Sequence, residues 1–392
     1  MFYLTFSDFG DILFAVENLV GECFIMPLFV KKNPVMCIAL LAAALSMLAV
    51  PPDAQYLTYF DFKTLTCLFC TLAVVCAFKN IYFFRIISSK IVSVFKTTRS
   101  AIIALVYITF IASMLIANDM ALITFLPLGY YVITSTDNQK HLAFTFIMQN
   151  IAANLGGMLT PFGNPQNLYL YNYYSIPNGE FVGIMLLPFL IAVSMITLCC
   201  MFVKNEPLTI HRSYDAKLNI SRTAIYSILF AISVIIVFGV VPYWVGLVII
   251  LASLLFFDRQ ALSMVDYPLL VTFCAFFVFS GNIARIDIVH TLIDGIVEEY
   301  TLLAGAISCQ FISNVPSGIL LSHFTDNYHQ LLVAVNIGGT GTLIASLASL
   351  ITFREYLKND PENIKSYLKK FTLYNFAFLI ILLVVMGIIM GF

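Results

Sequence analysis

Charge is what this sequence has least of. Asp, Glu, Lys and Arg make up 10% of its 392 residues, against 61% hydrophobic ones, whereas a soluble domain carries about 25%. The longest polar stretches, around 204–222 and 354–370, are too short to bury a core of their own. Neither sign is in excess, with 20 basic residues against 21 acidic. That removes the basic face on which nucleic-acid binding depends. Cysteine pairing is missing as a pattern: most of the nine, such as Cys67, Cys70, Cys199, Cys200, Cys274 and Cys309, lie in apolar runs where the thiol packs as a small hydrophobe. Cys67-x-x-Cys70 has no second ligand pair to complete a metal or redox site. The motifs of intramembrane proteases, Gly-x-Gly-Asp, Gly-x-Ser-x-Gly and His-Glu-x-x-His, are absent as well. Without them no nucleophile or activated water can be assembled at depth, so an enzyme is not expected.

What is present is apolar sequence in membrane-length runs. A crossing takes roughly 20 apolar helical residues. Runs near 34–50, 62–78, 100–117, 141–162, 181–203, 222–240, 243–257, 267–283, 301–312, 329–353 and 371–391 predict an all-α polytopic membrane protein with 10–11 transmembrane helices. Lys79, Arg85, Lys90, Lys96 and Arg99 follow one another with no acid between them, which places that loop in the cytoplasm by the positive-inside rule. If the segments around Asn118 and Asn314 turn back inside the membrane, eighteen of the twenty basic residues fall on the cytoplasmic side, with Lys63 and Arg285 outside. Treating either segment as a full crossing loses this agreement. The chain therefore divides into a first half, 31–203, with a re-entrant hairpin at about 113–135, a cytoplasmic linker, 204–221, and a second half, 222–392, with a hairpin at about 301–325. Residues 1–30, interrupted by Asp8, Asp11, Glu17 and Glu22, stay open between a poor extra span, an interfacial helix and an upstream extension. A secretory signal is not expected, because no positive charge precedes the apolar part.

The halves repeat one another. Ala152-Ala153-Asn154-Leu155-Gly156-Gly157-Met158-Leu159-Thr160 lines up with Ala334-Val335-Asn336-Ile337-Gly338-Gly339-Thr340-Gly341-Thr342, identical at five of nine positions, and each follows an apolar hairpin holding Asn118 or Asn314. The threading gives the two copies opposite topology, a transporter signature. Glycine pairs inside a span lower helix propensity, and Pro161 and Pro165 remove further intrahelical bonds, so broken helices are expected over about 141–167 and 329–353. Broken backbone at that depth must line a cavity in the protein. Gly156, Gly157, Gly163, Asn164, Gln166 and Asn167 form one break; Gly338, Gly339, Thr340, Gly341, Thr342 and Ser346 form the other. Packing of small residues between helices is the competing reading of each glycine cluster. The pairing in register, each after a polar tip, favours a site.

From residue 31 onward, Asp119 is the one acid deep within a predicted membrane element. A carboxylate there costs about 2.5–3.5 kcal/mol and should face a cavity, a cation or a proton, or else cap the second arm of its hairpin. No Lys or Arg lies in either tip or either break. An anion would then be held by helix N-termini, amides and hydroxyls, with Na+ or H+ offsetting its charge. This selects coupled transport over a channel. The candidate substrate contacts are Asn118, Asn154, Gly157, Thr160, Asn164, Ser313, Asn314, Ser317, Asn336, Gly339, Thr340 and Thr342. For the coupling ion they are Asp119, Asn118, Gly163, Asn167, Asn314 and Ser346. Apart from a possible Na+, no metal or cofactor is expected. Of the histidines, His141, His211, His290 and His329 read as interfacial, while His323 follows the second hairpin. Tyr169, Tyr171, Tyr173 and Tyr174 read as a headgroup belt, as does Trp244.

At these residues the sequence resembles the ion transporter superfamily, specifically its citrate-transporter-like permeases, whose relatives include divalent anion:sodium symporters, arsenite permeases and sodium/proton antiporters. The carriers are Asn118-Asp119-Met120-Ala121-Leu122-Ile123-Thr124, Ala153-Asn154-Leu155-Gly156-Gly157-Met158-Leu159-Thr160-Pro161-Phe162-Gly163-Asn164-Pro165-Gln166-Asn167, and Ser313-Asn314-Val315-Pro316. The likeness covers about residues 31–392. It implies an inverted-repeat fold with a scaffold part and a transport part, a homodimer in the plasma (inner) membrane, and an elevator-like movement carrying a small anion. In the dicarboxylate branch both tips read Ser-Asn-Thr and touch carboxylate and sodium; here Ala117-Asn118-Asp119 and Ser313-Asn314-Val315 replace them. By position Asn118, Ser313 and Asn314 remain substrate contacts. Asp119 resembles the tip acid of the arsenite and antiporter branches, so an arsenite efflux permease or a sodium/proton antiporter is the alternative to a cation-coupled anion permease.

Overall fold

The computed structural model describes residues 33–93, 95–134, 138–207 and 218–391. The expectations for 1–30, and for the linker over 208–217, fall outside them. Among the described residues the chain is helical, with no β-strand. The apolar runs supply the helices, and short polar residues start several of them. Asp61, Asn219, Asp266 and Asn327 each accept a backbone N–H of the first turn, and Thr97 and Ser100 make a reciprocal capping box.

The first half runs through α1 (Pro34–Ala49), a 3-10 turn (Ala54–Tyr59), α2 (Phe62–Asn80) and α3 (Phe83–Ser93). A hairpin follows, α4 (Thr98–Ile116) and α5 (Asn118–Thr134). Then α6 (Leu142–Gly156) stops at a break, α7 (Pro165–Tyr173) resumes beyond it, and α8 (Asn178–Met201) ends the half. The second half opens with α9 (Ile220–Val237), α10 (Tyr243–Phe257), α11 (Arg259–Ser263), α12 (Tyr267–Ala284) and α13 (Asp287–Glu299). These lead to a second hairpin, α14 (Thr301–Ile312) and α15 (Asn314–Leu321). After α16 (Tyr328–Ile337) comes a second break, then α17 (Leu347–Asn359) and the long α18 (Ile364–Met390).

Among the described residues seven helices are long and apolar enough to cross a membrane alone: α2, α4, α6 with its flanking turns, α8, α9, α12 and α18. This is an integral, multi-pass membrane protein. The other apolar runs are α1, α10 and α14, which are shorter, and the run over 329–353, which the second break cuts into α16 and α17. At 1.5 Å per residue, α14 reaches about 18 Å, well short of the ~30 Å hydrocarbon core.

Packing sorts the helices into two groups. α2 holds α9, α10, α11 and α12, and α12 lies along α1. In the other group α4 packs on α6 and α14 on α16, so the first arm of each hairpin lies against the helix that leads into its own half's break. The second arms bridge the halves: besides the helix leading into its own half's break, α5 lies on α17 and α15 on α7, each the helix that leaves the other half's break. α6 is enclosed along nearly its whole length. By contrast α8, α9, α10 and α18 expose Leu186, Leu190, Ile228, Val248, Phe256, Ile380 and Ile388, the apolar face a bilayer covers.

Candidate functional site

The two tips have the same local structure. α4 ends at Ala117 with φ 66° and ψ 150°, and α14 ends at Ser313 with φ 75° and ψ 158°. Positive φ is costly for a residue with a side chain, and such strain persists where the surroundings impose it. In each tip the next residue is an asparagine that repairs the helix start behind it. Asp119 N–H donates to Asn118 Oδ1 at 2.9 Å, and Val315 N–H donates to Asn314 Oδ1 at 2.9 Å.

The breaks are tied to the tips in matching register. Thr160 Oγ1 donates to the carbonyl of Met114 at 2.7 Å, and Thr342 Oγ1 to that of Gln310 at 3.0 Å; both acceptors lie three residues before their tip. A helix that stops inside a protein leaves carbonyls without partners, and side-chain amides supply them. Asn167 Nδ2 donates to the carbonyls of Gly157, Met158 and Thr160 at 3.2–3.3 Å. In the second break Gln310 Nε2 donates to Gly338 O at 2.9 Å and Thr340 O at 3.1 Å, while its Oε1 accepts from Thr342 N–H at 2.9 Å. Gly341, at φ 117°, leaves room for that oxygen where a side chain would stand. Gly157 likewise gives way to Asn164 Oδ1.

Asparagines join the halves. Asn164 Nδ2 donates to Asn154 O at 3.2 Å and to Asn336 Oδ1 at 3.1 Å, and Asn336 Nδ2 donates to Asn167 Oδ1 at 2.6 Å. Asn118 Nδ2 reaches Asn154 Oδ1 at 3.4 Å. Gly339 lies among them: a Cβ on it would sit 3.0 Å from Asn314 Nδ2 and 3.7 Å from Asn154 Oδ1.

Between the tips is a cavity of about 50 Å³, partly open and not fully enclosed. Asn118, Asp119, Pro165, Gln166, Ser313, Asn314, Val315, Pro316 and Leu347 line it, with Val35 of α1 and Leu269, Thr272, Phe273 and Phe276 of α12 on the opposite wall. The N-terminal residues of α5, α7, α15 and α17 therefore all meet at one space. Each N-terminus is a centre of positive potential, up to roughly half a charge for an uncapped helix, and the lining includes no Lys or Arg. Asp119 is the lining acid. It is half-buried, and its Oδ1 is enclosed without a hydrogen-bond partner. Asp258 is also buried, yet it is fully engaged by Asn80, Tyr226 and the N–H of Ala261.

Of the residues singled out in the sequence, Asn118, Asp119, Ser313 and Asn314 line the cavity. Asn154, Asn164 and Asn336, with Gly157 and Gly339, form the network behind it. Thr160, Asn167 and Thr342 hold the breaks, with Gly163 packed against Gly157 and Thr160. Thr340 Oγ1 returns to its own helix at Ile337 O, and Ser346 caps α17 through Ser349 N–H. Ser317 lies apart, fully buried between the arms of its hairpin and bonded to Ser308 at 2.9 Å. Gln310 and the α12 wall were not among the candidates. A glutamine in an apolar arm, in register with Met114, was the available signal for the first.

The tyrosine belt needs correcting. Tyr169 is buried and bonded to Ser322 Oγ at 2.9 Å, Tyr171 is buried and bonded to Asn178, and Tyr174 donates to Thr325 O at 2.6 Å. Only Tyr173 of the four is exposed. Because α7 is flanked by α15 and α2, the phenols of Tyr169 and Tyr174 find partners at the end of the second hairpin. His323 packs against the ring of Tyr173, 5.7 Å between centroids.

A family model described as citrate transporter matches residues 23–330. An uncharacterized transporter of Methanocaldococcus jannaschii is 34% identical over 300 residues, 75% of this chain and 81% of that protein. The inner membrane protein YbiR of Escherichia coli K12 is 28% identical over 287 residues, 71% of this chain and 75% of its own length.

Proposed function

The chain belongs to the citrate transporter family, and on that premise we propose that it is a cation-coupled anion permease whose substrate binds between the two hairpin tips. The observation that carries this reading is the meeting of four helix N-termini at one cavity with no cationic side chain in its wall. Such a wall attracts an anion without pairing it to a fixed cation. Asp119 adds a negative charge beside the same space. An organic anion and Asp119 together then need Na+ or H+ to enter with them, and the unpaired Oδ1 is an oxygen of the kind a hard cation takes. In this reading the hairpins, the breaks and α16–α18 form the moving part. The group around α2 and α12 forms the scaffold, two copies assemble in the plasma membrane, and transport follows an elevator-like path.

The test is uptake of labelled citrate and succinate into vesicles holding the purified protein, under imposed sodium or proton gradients. Accumulation should follow one cation gradient and stop when that gradient is collapsed. Uptake indifferent to every cation gradient removes the proposal. The unpaired Asp119 Oδ1 also favours a second reading, an arsenite efflux permease or a sodium/proton antiporter. Proton release on adding sodium, lost in Asp119→Asn, would select the antiporter, and outward movement of arsenite the efflux permease.

A further inference from the structure

Gln166 stands on the wall of the cavity, one residue inside α7, beside Asn118, Asp119, Ser313 and Asn314. It is 1% exposed, and neither its Nε2 nor its Oε1 has a hydrogen-bond partner in the protein. The second hairpin passes over the stem of this side chain, where a Cβ on Gly318 would lie 3.6 Å from Gln166 Cβ.

The register of the breaks shows that packing does not require the amide. Asn164 precedes α7 as Ser346 precedes α17, each four residues after the threonine that ties its break. Pro165 and Leu347 come next, and both line the cavity. The residue after them is Gln166 in the first half and Ala348 in the second, where Ala348 is fully buried. A methyl group meets the demands of that position. A buried amide with both ends bare is costly in a folded protein, and a site that holds a ligand offsets that cost.

We propose that Gln166 is a specificity-determining residue of the transport site, with its N–H donating to a carboxylate oxygen of the substrate and its carbonyl accepting from a hydroxyl on the same molecule. A hydroxycarboxylate satisfies both atoms at once. A plain carboxylate offers acceptors alone and leaves Oε1 unpaired. The inference rests on the reading of this cavity as an organic-anion site.

The test compares citrate with tricarballylate, the same tricarboxylate without the hydroxyl, by titration of the purified full-length protein at fixed sodium concentration. Wild type should prefer citrate by about tenfold or more, because a site built to bond a hydroxyl rejects the analogue lacking it. Gln166→Ala, the residue the second half already carries here, should bring the two affinities together mainly by weakening citrate. Gln166→Met, which keeps the length of the stem and removes the amide, should do the same. Damage to the fold would weaken both anions alike and leave the ratio standing, so a preserved preference in either variant overturns the proposal. Equal binding of the two anions by wild type overturns it as well, while leaving the anion site intact. Binding of neither by wild type defeats the organic-anion reading itself, and this inference with it.

Discussion

Replacing Asp119 with Asn removes one charge at nearly constant shape, and its effect on stability should reverse sign with sodium concentration. The carboxylate costs about 2.5–3.5 kcal/mol at mid-membrane on insertion scales. Its place in the first turn of α5 returns about 1–2 kcal/mol of that through the helix dipole. Asn118 already accepts the N–H of Asp119, and the enclosed Asp119 Oδ1 accepts none, so that oxygen makes no cap that the substitution would break. In cation-free buffer Asp119→Asn should therefore be more stable than wild type by about 0.5–2.5 kcal/mol, the difference of those terms. Sodium at a hundred times its dissociation constant then stabilises wild type by about 2.7 kcal/mol and the variant by almost nothing. The two melting temperatures should cross as sodium is raised. A thiol-reactive dye can follow unfolding, because Cys67, Cys70, Cys76, Cys200 and Cys309 are buried. Parallel sodium dependence in both proteins would refute a cation site at Asp119. A variant far less stable than wild type without sodium would show that the carboxylate serves the fold.

Other substitutions separate the breaks from their surroundings. Gly157→Ala places a methyl group on Asn164 Oδ1 and 2.8 Å from Gly163 O, and should cost about 1–3 kcal/mol together with any ligand-induced thermal shift. Gly183→Ala, in open space on α8, should raise stability by about 0.5–1 kcal/mol, so the same change has opposite signs at the two sites. Gln310→Met, which installs the side chain of its counterpart Met114, strips partners from Gly338 O, Thr340 O and Thr342 N. It should cost about 1–3 kcal/mol for each group left buried, and an unchanged melting temperature would mean that the second break is held by other contacts. At an exposed site on the protein the bond from Arg285 holds the Asp53 carboxyl below its ordinary value. That contribution is complete above about pH 4 and is lost as pH falls through the folded-state value. The melting temperatures of wild type and Asp53→Asn should converge on acidification, and a constant gap would show that the pair is not the cause.

The readable parts of this molecule were local in sequence. A glycine pair next to asparagine in an apolar run weakens a helix wherever it occurs, so both breaks could be placed from composition alone, and Asn118 and Asn314 marked the tips. The shortness of α16 and α17 follows from the same glycines. What could not be read depends on who meets whom across the chain. Ser317 lies one helical turn beyond the tip and looks equivalent to Ser313, yet α15 turns it toward Ser308. Phe273 and Phe276 line the cavity, yet their own segment shows only that it is apolar, and the tips they meet there come from two distant hairpins. Tyr169 and Tyr174 have the composition of a headgroup belt. Their partners, Ser322 and Thr325, are some 150 residues away in the chain.

The charge of the proposed site depends on its assembly. Four N-termini of up to roughly half a charge each give at most about +2, and Asp119, when ionised, reduces this to at most about +1. A lysine in the wall would hold an anion equally well in every conformation. Helix ends act over little more than one turn, so their sum exists only while both tips and both breaks face the same space. Each hairpin's second arm rests on the helix leaving the other half's break, so displacing one hairpin disturbs termini from both halves. The field that retains the substrate would then fall as the site opens, and release would need no separate competitor for the anion. A citrate-like trianion in such a site leaves a net charge of about −2 or more negative, which low-dielectric surroundings do not tolerate. One or two cations must accompany it, and their number is set by the charge of the anion that the site admits.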